Sequence, residues 1–137
     1  MPATPIACFR TAVLPEALPF SAAVRAGEWV YVSGQIGNLP GEMRLVAGGL
    51  EAEARQALDN MRQALAAAGA SLDRVVKCTV YFADMADFQP FNRIYRTYFT
   101  AHLPARSGVE VKGLVLGARI EIDCVALADG PPQLPKN

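Results

Sequence analysis

The chain has 137 residues, 52% of them hydrophobic and 19% charged, and its 13 basic and 13 acidic residues cancel. A neutral chain without a basic cluster lacks the electrostatic footprint that nucleic-acid backbones require, and no run of about 18 apolar residues marks a membrane span. The length fits one domain spanning 1–137, and the apolar fraction is more than a lone small domain easily hides, which favours self-association.

Residues 1–16 and 127–137 read as loose termini, the first carrying Pro2, Pro5 and Pro15 and the last Pro131, Pro132 and Pro135. A short edge strand fits around Ile6 to Val13. Ser21–Ala26 and Trp29–Ser33 are apolar and β-branched runs joined by Gly27-Glu28, a hairpin pattern. The second of them is apolar on both faces, so both faces of its sheet are expected to be covered. Ser33-Gly34-Gln35 follows, and by itself reads as a glycine-assisted bulge or turn. Residues 37–49 form a loop, with a short strand expected at Met43–Val46.

Leu50, Ala54, Ala57, Leu58, Met61, Ala64, Leu65 and Ala68 recur at three and four, the apolar stripe of a helix that stops at Gly69. Glu51, Arg55, Asp59 and Arg62 make its solvated face. Val75–Phe82 is a strand with Val76, Cys78, Val80 and Phe82 expected on one face. Asp87 is placed to cap a second helix carrying Phe88, Phe91, Ile94, Tyr95, Tyr98 and Phe99. That helix is expected to close at His102, because Pro104 drives Leu103 into extended geometry.

The chain then alternates twice. From Ser107 to Lys112 the pattern sets Val109 and Val111 opposite Glu110 and Lys112, and from Ile120 to Ala126 it sets the apolar residues opposite Glu121 and Asp123. The order β-β-β-α-β-α-β-β, with two helices on one face of a mixed sheet, is that of an α+β two-layer sandwich. Arg106 at the mouth of the first of these strands offers a guanidinium fork for a carboxylate, and Glu121, on what reads as the neighbouring strand, is able to accept a proton. A structural ion pair at the sheet edge is the alternative reading of the two.

Other chemistry is thinly represented. His102 is the single histidine and sits at an expected helix end, where a cation suits the dipole. No second histidine or clustered cysteine pair supports a zinc site, and no Walker or GxGxxG pattern supports a nucleotide cofactor. Cys8, Cys78 and Cys124 are widely spaced and odd in number, which indicates free thiols and a reducing, cytoplasmic setting.

Pro104-Ala105-Arg106-Ser107, Val109-Glu110-Val111 and Ile120-Glu121-Ile122 together resemble the carboxy-terminal signature of the RidA/YjgF family. Ser33-Gly34-Gln35 and the Asp87-to-Tyr95 pattern containing Asn92 agree in order and spacing, so the resemblance runs from about Ala17 to Ala126. It implies a chorismate-mutase-like fold, a homotrimer with sites between subunits, and cofactor-independent hydrolysis of 2-imino and enamino acids to 2-keto acids and ammonia. By resemblance Arg106 clamps the substrate carboxylate, Glu121 positions the attacking water, and Ser33, Asn92 and the backbone near Gly108 line the site. Two departures bear on substrate choice: Phe20 stands where the family usually has tyrosine, and Gly108 where cysteine or alanine is common. Leu114-Val115 replaces a common Leu-Pro. A non-catalytic trimer that binds 2-keto acids or other metabolites is the alternative function, while a ribonuclease reading meets the missing basic stripe.

Overall fold

The computed structural model describes residues 2–131. Eight regular elements alternate along them: β1 (Ile6–Phe9), β2 (Ala23–Ala26), β3 (Trp29–Gln35), α1 (Gly49–Ala67), β4 (Val75–Phe82), α2 (Phe88–Tyr98), β5 (Ala105–Glu110) and β6 (Ile120–Leu127). The strands form one mixed sheet in the order β1-β2-β3-β6-β4-β5. All neighbours are antiparallel except β4 and β5. Both helices lie on one face, giving the expected α+β two-layer sandwich.

The helical stripe of α1 packs as its spacing dictates, with Ala54, Ala57, Leu58, Met61, Ala64 and Leu65 fully buried against the sheet. Gly69 ends the helix at φ 81, a left-handed conformation that glycine adopts without a Cβ penalty. There Gly69 N–H donates to Ala66 O and Ala70 N–H to Leu65 O, which satisfies two terminal carbonyls. Glu53 and Asn60 are the buried polar exceptions on this helix. The Asn60 amide donates to Ile36 O and Asn38 O, tying the loop after β3 to α1.

Several expectations change. Three strands do precede α1, but the first is Ile6–Phe9, which pairs with β2; residues 1–16 are therefore not all loose. Met43–Val46 contributes only an isolated bridge, Asn38 to Leu45. At the other end Ala128, Asp129 and Gly130 remain bonded, to Glu28 O and Gly69 O, while residues 132–137 of the expected loose tail lie outside the described residues. In β4 the buried residue is Val75 and not Val76, because the register against β6 shifts between Val75 and Lys77 and turns Val76 outward. Asp87 does not cap α2. Asp84 caps the short turn before it, and the Asp87 carboxylate instead takes two bonds from Arg119, at 3.0 and 2.7 Å. Helix α2 closes at Tyr98, a turn early, since Phe99 leaves helical geometry to bury its ring against Tyr95. His102 consequently bonds Val75 O through Nε2 and does not serve the helix end.

The sheet face away from the helices is open in this chain. Trp29 and Tyr31 there are 45% and 50% exposed, so the doubly apolar β3 is covered on one side only. Val109 shares that fate. Parallel pairing sets Arg106 beside Cys78 and Gly108 beside Val80, so Arg106 and Gly108 take the helix side and Val109 the open side.

Candidate active site

Glu121 and Arg106 are not on neighbouring strands, as their spacing suggested. Strand β4 lies between β5 and β6, and the two side chains leave the sheet on opposite faces. Arg106 pairs in register with Cys78, on the helix side; Glu121 pairs with Tyr81, on the open side. No single copy of the chain brings the guanidinium to the carboxylate. Each lies in its own depression.

The Glu121 half is a cleft of about 450 Å³ lined by Ser33, Gly34, Glu121, Phe20, Leu116 and other apolar residues. A bulge between Val32 and Gln35 turns Ser33 and Gly34 out of the regular ladder, and the carboxylate of Glu121 lies over Gly34. A Cβ at Gly34 would sit 2.3 Å from Glu121 Oε2, so the missing side chain is what makes room for the acid. Burial pushes the Glu121 carboxyl above the usual carboxylate range, and the neighbouring Asp123 adds to the rise. Such a group accepts and returns a proton nearer neutrality than an exposed glutamate does. Asp123 itself accepts a 3.0 Å hydrogen bond from Tyr81 Oη, which fixes its orientation beside Glu121. Ser33 Oγ donates to Ser21 O at 2.6 Å, anchoring the bulge to the segment just before β2.

Sequence reasoning missed the residue that builds one wall of this cleft. Arg10 donates to Pro15 O and Phe20 O, both at 2.9 Å, and more loosely to Leu18 O, so one guanidinium pins the proline-containing segment that carries Phe20. The signal was a cation immediately before a segment rich in backbone carbonyls with no ladder partner. Asn38 does the same for the opposite loop, donating to Val13 O and Glu42 O. Its signal was a polar residue in an otherwise apolar turn.

The Arg106 half is a shallower depression of about 200 Å³ bounded by Asn92, Tyr95, Arg96, Leu103, Pro104 and Arg106. The guanidinium lies 4.8 Å from the Tyr95 ring centroid and 5.4 Å from that of Phe88, and it donates to Asn92 Oδ1. Aromatic faces hold the planar cation while Asn92 fixes its rotation. Among the described residues no carboxylate pairs with it, so its other donors are placed to grip an anion bidentately. The family resemblance named Asn92 and Arg106 for one site, and the two side chains are in contact. Gly108 lies beside them, but Phe82 and Phe88 already stand 3.4 and 3.5 Å from where its Cβ would be, so aromatic rings occupy the space beside it.

The buried thiols take no part. Burial raises Cys78 to about 11 and carries Cys124 well above the ordinary thiol range, so both stay protonated. Among the described residues no group of three His, Cys, Asp or Glu side chains is placed to hold a metal ion.

The fold defines a class: a chorismate-mutase-like α+β domain with an open sheet face and a carboxylate set on it. Within that class, residues 11–128 match the family described as Endoribonuclease L-PSP, and the chain belongs to this family, which is the RidA/YjgF family. The human protein named 2-iminobutanoate/2-iminopropanoate deaminase is 48% identical over 122 residues, covering 88% of this chain and 88% of its own. Among solved structures, the E. coli YjgF gene product superposes with a TM-score of 0.81 at 37% identity, covering 88% of this chain and 98% of that one. E. coli TdcF with bound serine superposes at 0.83 and 31% identity, over 90% and 99%.

Proposed function

We propose that this protein is a cofactor-independent imine and enamine deaminase, converting 2-imino or enamino acids to 2-keto acids and ammonia as a homotrimer. The observation that carries the reading is the Glu121 carboxylate, partly desolvated in a cleft whose lining is mainly apolar. The 48% identity to a protein named as such a deaminase supports it, as does the serine, an amino acid, named in the TdcF structure. The free thiols Cys8, Cys78 and Cys124 agree with a reducing compartment such as the cytoplasm.

The chemistry asks little of the protein, because C2 of an imine is already electrophilic. Arg106, turned by Asn92, holds the substrate carboxylate and so fixes C2 in space. Glu121 takes a proton from water as the oxygen bonds to C2 and passes it to the imine nitrogen, giving a carbinolamine; it then takes the hydroxyl proton and delivers it to the amine as the C2–N bond breaks and the C=O forms, so the acid returns to its starting state. One water enters; one keto acid and one ammonia leave. Ser33 and the backbone at Gly34 shape the floor, while Phe20 supplies an apolar wall where a tyrosine would have offered a hydroxyl.

In this reading Arg106 and Glu121 come from different subunits, a division supported by their leaving opposite faces of one sheet. The open face bearing Trp29 and Tyr31 supplies the apolar surface for that assembly. Two experiments test the reading. Ammonia release from freshly generated 2-iminopropanoate establishes or refutes deamination, and keto-acid binding without turnover would favour the regulatory alternative. Mixing inactive Arg106→Ala with inactive Glu121→Gln subunits restores about one quarter of the sites if each site draws on two chains, and none if it draws on one. The nuclease word in the family's description finds no support in the charge balance of 13 against 13 or in a lone His102 engaged with Val75 O.

A further inference from the structure

The reaction accounts for the polar floor of the Glu121 cleft but not for its apolar wall. On one chain alone the cleft measures about 450 Å³, before the subunit that contributes Arg106 closes over it, and Leu18, Phe20, Met43, Val115 and Leu116 line it beside the acid. Leu116 stands out among them. At φ 60 and ψ 13 it is the one described non-glycine residue with positive φ, a conformation in which Cβ crowds the following carbonyl. The two glycines around it, Gly113 and Gly117, have nothing within 4 Å of a Cβ position, so crowding does not impose the turn there. A strained backbone held in an uncrowded loop, with its side chain on the wall of the acid's cleft, is a feature expected of a ligand-shaping residue.

We propose that Leu116, with Val115 and Phe20, forms a specificity pocket for the side chain on C2, and that the preferred substrates are imines of amino acids with branched or long apolar side chains. The proposal rests on the deaminase reading above and extends it to the substrate's third substituent. With the carboxylate held by Arg106 of a neighbouring subunit and the attacking water by Glu121, the side chain must leave C2 along the remaining direction. That direction is the apolar wall. Gly108 is not the source of the room, since Phe82 and Phe88 fill the space beside it.

The test compares kcat/KM for imines generated in situ from alanine and from leucine by an amino-acid oxidase. Each buried methylene is worth about fourfold, so with three added carbons partly buried the leucine-derived imine is preferred by at least about tenfold. Leu116→Gly and Leu116→Asn both suit the left-handed conformation, which protects folding, and both lower that preference to about threefold or less, mainly through KM for the leucine-derived imine. Leu116→Met retains it. Preference for the alanine-derived imine, or an unchanged ratio in both strain-relieving variants, overturns the proposal while leaving deamination intact. If no imine is hydrolysed, the deaminase reading fails instead, and calorimetry with 4-methyl-2-oxopentanoate against pyruvate then decides the pocket. Tighter binding of the larger keto acid, lost in Leu116→Gly, supports the pocket; equal binding refutes it.

Discussion

Gly34→Ala isolates the placement of Glu121 from everything else in the fold. The new Cβ would lie 2.3 Å from Oε2, 2.8 Å from Cδ and 3.1 Å from Cγ of Glu121, where ordinary contact begins at 3.4 Å. The carboxylate must therefore withdraw by about 1.1 Å, and a displacement of about 1 Å at a reacting group costs on the order of 100-fold in turnover. That corresponds to about 2.7 kcal/mol of activation free energy. What moves is the end of a side chain and no backbone, so the thermal midpoint should stay within the range of an ordinary surface substitution, about 0.5 kcal/mol either way. Gly37→Ala is the contrast: its Cβ would meet the Glu53 backbone at 2.6 and 2.7 Å, and overpacking against backbone costs about 1–3 kcal/mol of stability. Ammonia release, keto-acid binding by calorimetry and thermal melts separate the two. A folded Gly34→Ala protein with wild-type turnover would refute the role given to Glu121.

Four further outcomes follow from the same geometry. Because burial first and Asp123 second raise Glu121, Asp123→Asn should move the acid limb of the kcat/KM profile to lower pH without abolishing it, as the burial remains. The folded state holds that proton to higher pH than the unfolded chain does, so its contribution to stability is present in acid and lost as pH rises; Glu121→Gln should thus raise the melting temperature at pH 8 and not at pH 3. Sedimentation equilibrium should return three times the 14.7 kDa chain mass, and a stable monomer at micromolar concentration would contradict an intersubunit site. Arg119→Ala leaves the buried Asp87 carboxylate without its two donors and should cost about 2 kcal/mol, read as a lower denaturation midpoint with an unchanged m value.

The local elements were legible because their signals are local. The bounds of β4 at Val75–Phe82 and the stripe of α1 with its stop at Gly69 follow from period and turn chemistry, whereas Asn92 and Arg106 were placed in one site only by the family resemblance. The bulge at Ser33–Gly34 was readable as backbone, and tertiary structure added that the vacant Cβ position receives a carboxylate from a residue 87 positions later. Alternation in β5 and β6 correctly separated two faces in each strand. It could not say which face meets the helices in β5, because Val109 and Gly108 exchange roles once β4 imposes its register. Nor could it order the strands. An apolar alternating segment satisfies its hydrogen bonds beside any partner of matching length, so insertion of β6 between β3 and β4 leaves no mark in the local pattern. Sequence by itself singled out the candidate pair, an acid and a guanidinium in strand surroundings; only the sheet order and the side of the sheet each one leaves decided that they do not meet within one chain.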